Sequence, residues 1–373
     1  VFLFFMLVST LNAIILQEID NQLLAFFHFL KHIEYIVIFV LAFNIPDSLE
    51  DIRFLVFCLF GAATVLAVQS LFSPVGLVGA LTEAATAAAE GTAEGGAGRL
   101  QGVATETANI FGGFLVFHSL MLASFLIEER SLNKQLIYFV AFTALFTPIL
   151  FTLSRSSYVG IAAGLIFLGI FRDPRLLLFM GLIAIAVGSL VPTTVLQRFF
   201  SIFTAMANVE LTPSWQARLN AWEHYLPTII RNPFIGQGLF YISPGEVDNE
   251  LVLRAIETGL LGVLSMVWVF WNFFKRALFI LREGSEKLYR QLGLGYVAGI
   301  IGMFCHSLAA TSFTTIRTAE PIYFVSGLVL AAYLLRLKIT RQHDGVDIEK
   351  KHQEIIIERT KTYSRRMLDS QQV

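Results

Sequence analysis

The chain is short of charge, short of cysteine and devoid of long apolar–polar alternation. Only 15% of its 373 residues are charged and its mean hydropathy is +0.68, whereas a soluble domain carries charge on roughly a quarter of its residues. A soluble globular fold is thereby excluded. The two cysteines, Cys58 and Cys305, both lie inside apolar segments, so neither a disulfide framework nor a cysteine metal cluster is indicated. No outward-facing Asp-x-Asp pair and no Cys-x-x-Cys occurs, so no metal is expected at the site and no cofactor is implied. The net charge of −1 selects no partner, because the charges are segregated by side, and no nucleic-acid partner is expected.

What the chain has in abundance is apolar runs of bilayer-spanning length. They fall at about 1–16, 33–45 (reaching back into 23–30), 54–72, 107–127, 136–152, 157–171, 176–192, 252–274, 292–311 and 322–338. The expectation is an all-α integral membrane protein with about ten transmembrane helices in the bilayer. The runs are continuous and not alternating, which excludes a β-barrel. Val1 opens inside an apolar run, so a chain missing its natural start is expected, not a cleaved signal peptide.

The loops alternate in charge. Arg130, Lys134, Arg172, Arg175, Lys275, Arg276, Arg282, Lys287, Arg290, Arg336 and Lys338 fall on one side, which the positive-inside rule makes cytoplasmic. The other side holds Arg99, Arg155, Arg198, Arg218, Arg231 and Arg317, with Lys31 its only lysine. Two readings of these arginines stand side by side: snorkelling at span ends, or guanidinium forks suited to phosphate. The chain divides into N-terminal helices over 1–192, a large extracytoplasmic loop with an amphipathic helix over 193–251, three last helices over 252–338 and a charged cytoplasmic tail over 339–373. The Ala/Gly/Glu/Thr-rich stretch 81–98 is assigned no chemistry.

Four places can carry chemistry. Arg155, within Leu153-Ser154-Arg155-Ser156-Ser157, sits at a tight reversal between two spans, either as an interfacial snorkeller or as a pyrophosphate clamp aided by the serine hydroxyls. Arg218 lies on a segment that Pro213 and Ser214 start as a helix. There Trp215, Leu219 and Trp222 repeat at helical spacing, which predicts an amphipathic helix with its aromatic face in the headgroup layer. Asp248 is read as the N-cap of the next span, as a general base beside bound phosphate, or as both. Glu250, Arg254 and Glu257 form an ion-paired stripe that must point into the bundle or a wet cavity. Asn232-Pro233-Phe234-Ile235-Gly236-Gln237-Gly238 is a turn signal, and His306 reads as a buried, hydrogen-bonded histidine.

Asp248-Asn249, nine further residues and then Gly259-Leu260-Leu261-Gly262 resemble the signature of the O-antigen ligase and O-antigen polymerase superfamily, where a His-Asn-like pair precedes Gly-x-x-Gly. Arg218, Trp222 and 232–238 are similar to that family's large periplasmic loop. So are Ser154-Arg155 at a span end and Gly102 with Asn109 before the fourth span. The resemblance implies a twelve-helix bundle, here N-terminally truncated, and a metal-independent, inverting glycosyltransferase of the bacterial inner membrane. Its donor would be an undecaprenyl-pyrophosphate-linked glycan on the periplasmic face, and its acceptor a glycan or lipid. Carried onto this chain, Arg155 and Arg218 would hold the pyrophosphate, Asp248 would be the base, and Asn109, Asn249, Arg254 and Arg317 would line the substrate site. The ligase branch has histidine where this chain has Asp248, which favours the polymerase-like branch. A lipid-linked sugar transporter and a non-catalytic scaffold are the competing classes.

Overall fold

The computed structural model describes residues 1–15, 22–72, 107–172, 174, 213–242 and 245–339. The expected span 176–192, the loop stretches 73–106 and 193–212 and the tail from 340 lie outside the described residues. Within them every regular element is a helix: α1 Phe2–Ile15, α2 Gln22–Asn44, α3 Leu49–Phe72, α4 Ala108–Glu128, α5 Leu132–Phe151, α6 Arg155–Phe171, α7 Pro213–Arg231, α8 Glu250–Glu283, α9 Lys287–Ser307 and α10 Ile316–Ile339. Six of these (α2, α3, α4, α5, α8 and α10) are long and apolar enough to cross a membrane, and α1 and α6 are shorter apolar helices.

Helix α4 is apolar all round and buried along almost its whole length, as a helix enclosed by others must be. It packs against α3, α5, α6 and α9, and α9 in turn contacts α6 and α8. Glycines bring α9 close to its neighbours: Gly295 faces Ser124 and the Met121 backbone, Gly299 faces the Phe117 ring, and Gly302 faces the Gly160 carbonyl. Small residues at such seams let backbones approach, which is how helices associate where lipid offers no hydrophobic drive between them.

Two ends of this bundle differ in chemistry. At one end Glu128 pairs with Arg172 and Arg290, Glu129 pairs with Lys287, and Arg336 Nε donates to the Glu283 carbonyl at 2.8 Å. All of these cations belong to the set expected to be cytoplasmic. The N-termini of α4, α6, α8 and α10 and the C-terminus of α9 meet at the opposite end, where the candidate site residues fall.

Helix α8 is broken. Gly259 has φ 66° and ψ −173° inside it, so the segment before the break runs at an angle to the rest. The break is filled by the chain after α7. Gln237 and Gly238 N–H donate to the Ile256 and Glu257 carbonyls (2.8 and 2.9 Å), and Leu260 and Leu261 N–H donate to the Pro233 and Phe234 carbonyls (2.8 and 3.3 Å). These bonds replace the helical ones that the break forfeits.

Candidate functional site

The first turn of α8 sets the site. Asn249, extended at φ −156°, ψ 118°, is its N-cap: Oδ1 accepts from Leu251 and Val252 N–H (2.9 and 3.1 Å) and Nδ2 donates to the Leu308 carbonyl at 2.9 Å. This corrects the expectation that Asp248 caps the helix. An Asn cap does the same work as an Asp cap, and a neighbour already supplies it. The Asp248 carboxylate is therefore left to face outward, 42% exposed, with Oδ2 3.5 Å from Arg218 Nη2.

Arg218 reaches this point from the middle of α7, which starts at Pro213 as a proline at the first helical position favours. The same Nη2 lies 3.4 Å from the Ala309 carbonyl, just past the end of α9. The last carbonyls of a helix lack intrahelical partners and attract cations; here Leu308 and Ala309 are met by Asn249 and Arg218. Both Arg218 contacts are long for hydrogen bonds. Its Nε is buried with no partner among the described residues, so the guanidinium retains donor capacity.

Arg155 is the first residue of α6 and half-buried. Ser154 caps that helix, its Oγ accepting from Ser157 N–H at 3.3 Å and lying 3.0 Å from Ser156 Oγ. The reversal from α5 passes through Leu153 at φ 50°. Below it Ser157 presses on Gly112, and His306 sets its ring against Gly113 and its Cβ against Gly160, with Nδ1 2.7 Å from Ser312 Oγ. His306 is thus the buried, hydrogen-bonded histidine expected. Asn109 lies one turn above Gly112 and Gly113, and Arg317 stacks over the Phe114 ring at 5.9 Å. The structure therefore brings Arg218 and Asp248 together directly. It sets Asn109, Arg155 and Arg317 at the same end of the bundle, across the C-terminus of α9.

Arg254 is elsewhere. It is 1% exposed, and its guanidinium is taken up by Glu250 Oε1 (3.0 Å), Glu257 Oε2 (3.0 Å), His32 Nε2 (3.0 Å) and Thr314 Oγ1. The stripe points into the bundle as its charge requires, and protein groups engage the Arg254 fork. Asn249, 6% exposed, is engaged by its cap bonds and by Leu308. His28 and His32 have the i, i+4 spacing that puts two imidazoles on one helix face. Here His32 Nδ1 lies 2.7 Å from the His28 carbonyl and so carries the proton, leaving Nε2 to accept from Arg254. No group of three or more metal-ligating side chains occurs among the described residues.

Of the stripe expected on α7, Trp222 packs with Tyr225 and Ile229 on Ile242, Val247, Leu253 and Ile256 of the protein, while Leu226 and Ile230 are exposed; the Trp215 side chain lies outside those described. Helical spacing reveals a stripe but not which surface covers it. Sequence reasoning also missed the clasp between Gly236 (φ 77°) and Gly259: a Cβ on Gly236 would lie 2.5 Å from Gly259 N, and one on Gly259 would strike the Phe234 backbone. Glycines in both motifs were the available signal.

Residues 139–267 of the 373 match the family model described as O-antigen ligase. The segment is similar to that family over about a third of the chain. The match supports placing the chain in the O-antigen ligase and polymerase superfamily, and no curated protein matches it. The matched segment contains Arg155, Arg218, Asp248 and the Gly236–Gly259 clasp. Asn109 and Arg317 lie on helices outside it, and Ala309 in the α9–α10 connection.

Proposed function

We propose that the protein is a membrane glycosyltransferase that transfers or polymerises an undecaprenyl-pyrophosphate-linked oligosaccharide at the outer face of the bacterial inner membrane. The observation that carries this reading is the loose Arg218–Asp248 pair, partly exposed at the bundle end where Arg155 also sits. The acceptor hydroxyl attacks the anomeric carbon of the donor sugar, Asp248 takes the hydroxyl proton, and the bond from that carbon to the pyrophosphate oxygen breaks with inversion. Charge grows on the departing undecaprenyl pyrophosphate, where Arg155 and Arg218 stabilise it. A pyrophosphate entering here competes with Asp248 for Arg218, which releases the carboxylate to act as base. No step in this scheme calls on a metal.

The break in α8, with charged groups near it, favours a second reading as a transporter, since transporters place substrates at broken helices. Its unwound backbone, however, is bonded to Pro233, Phe234, Gln237 and Gly238. A substrate would have to displace those partners, so chemistry at the bundle end is the better account.

Glycan analysis of a deletion strain tests the proposal. Lipid-linked single repeats mark a polymerase, full chains stranded on the carrier mark a ligase, and an unglycosylated protein acceptor marks a protein transferase. Complementation with Arg218→Ala or Asp248→Asn is expected to leave the same defect, with transfer reduced about 10²-fold or more. Unchanged glycans in every fraction would falsify all three variants of the reading.

A further inference from the structure

We propose that Glu250 and Arg254 are positioning residues: their buried ion network fixes both segments that hold the Arg218 guanidinium against Asp248. The kinetic part of this inference rests on the function proposed above; the geometric part does not.

The connection from α9 to α10 supplies the Ala309 carbonyl to Arg218, and it is tied to α8 at two points. Asn249 holds Leu308, while the Glu250 carboxylate accepts from Phe313 N–H (3.1 Å) and Thr314 Oγ1 (2.5 Å). Within the connection His306 holds Ser312, and Thr318 Oγ1 donates to the Ser312 carbonyl at 2.5 Å. Tyr35 of α2 donates to the Thr314 carbonyl at 2.7 Å. The network also reaches the other segment. Arg254 pairs with Glu257, whose Oε1 accepts from Phe240 N–H at 3.2 Å. Phe240 closes the loop that follows α7, the helix that carries Arg218. One guanidinium thus couples α2, α8, the post-α7 loop and the α9–α10 connection.

Apolar residues could pack these helices together at least as firmly. What a set of directional bonds adds is a fixed register, because a slip at Phe313 or Phe240 leaves a buried carboxylate oxygen unsatisfied. Glu250 lies two residues from Asp248, so a register fixed at Glu250 is transmitted to the base within one helical turn.

The experiment uses the full chain in lipid nanodiscs with Cys58→Ser and Cys305→Ser, carrying nitroxides on Glu223→Cys of α7 and Ile316→Cys of α10, both at exposed positions. The distance distribution between the labels is compared for the parent, Glu250→Gln, Thr314→Val and Thr314→Ser. Transfer from an undecaprenyl-pyrophosphate-linked glycan is measured on unlabelled counterparts. Glu250→Gln and Thr314→Val are expected to broaden or shift the distribution and to lower kcat about tenfold or more, with KM within about twofold. Thr314→Ser, which keeps the hydroxyl, restores both. Should Glu250→Gln not fold, Thr314→Val decides. An unchanged distribution overturns the inference. So does a changed distribution with unchanged kcat where Arg218→Ala abolishes transfer. If the distribution changes but transfer is indifferent even to Arg218→Ala, the positioning geometry stands and the catalytic reading of Arg218 fails.

Discussion

Asp248 and Glu250 are two residues apart, and each faces an arginine, yet the two pairs are opposites. Arg218 meets Asp248 through one nitrogen at 3.5 Å, with the carboxylate 42% exposed. Arg254 meets Glu250 at 3.0 Å with side chains 1% and 0% exposed, and Glu257, His32 and Thr314 complete its shell. Four of the five Arg254 donors are committed to protein groups. The Arg218 pair is looser, which under the proposed function lets it exchange its partner for a phosphate. An arginine's setting here differs in how fully the protein satisfies it, and carboxylates two residues apart fall on either side of that line.

The sharpest way to break this contrast is to delete each cation. Arg254→Met strands two carboxylates in the interior, and removing one partner of a buried ion pair costs about 3–5 kcal/mol. A collapse in the yield of folded protein and a large fall in thermal transition in detergent are expected. Arg218→Ala removes a partly exposed, loosely held contact, worth about 0–1 kcal/mol to stability. Its thermal transition should stay close to the parent's while transfer falls. If both variants melt alike, the distinction between a building arginine and an acting one is lost.

A smaller effect is expected at the clasp. Gly259 adopts φ 66° and Gly236 φ 77°; a Cβ on Gly236 would strike Gly259 N, and one on Gly259 would strike the Phe234 backbone. Gly259→Ala is expected to cost about 1–3 kcal/mol from backbone strain alone, and more where the Phe234 backbone must shift. Because the glycines touch, the double variant with Gly236→Ala should cost less than the sum of the two. Strict additivity in a thermal-unfolding cycle would show that the two motifs do not interlock.

These glycines mark how far the sequence could be read. Apolar runs located helices at nine of the ten stretches read as spans, because run length and composition are local properties; six of those helices are long and apolar enough to cross a membrane. The extension of α2 back to Gln22 and the helix starting at Pro213 followed from the same logic. Local periodicity also required the Glu250–Arg254–Glu257 stripe to turn inward. It could not say that His32 and Thr314, 222 and 60 residues away from Arg254, would complete the shell. For the same reason Asp248 reads as the cap that Asn249 provides. The aromatic face of α7 was legible as a stripe, but its cover, Val247 and Leu253 among others, comes from the return of the chain. Burial partners are set by tertiary packing, and spacing carries no record of them.

The smallest predicted effect lies between the two arginine extremes, at the opposite end of the bundle. Glu129 is 6% exposed while its partner Lys287 is 35% exposed, so this pair is half inside and half in water. Burial pushes the Glu129 carboxyl up, but the Lys287 ammonium and the Ser131 and Arg130 N–H groups (3.0 and 2.9 Å) outweigh it and hold the carboxyl down at about 2. A carboxyl whose folded value is depressed stabilises the fold above its unfolded value and loses that contribution as pH falls through the folded one. The contribution of Glu129 is therefore full above about pH 4.5 and fades towards pH 2. Glu129→Gln should lower the thermal transition modestly at pH 7, and the gap to the parent should close as the pH approaches 2 to 3. A gap that stays constant with pH would mean that Glu129 acts through shape and not charge, and that ion pairs at this end contribute no more than those beside Asp248.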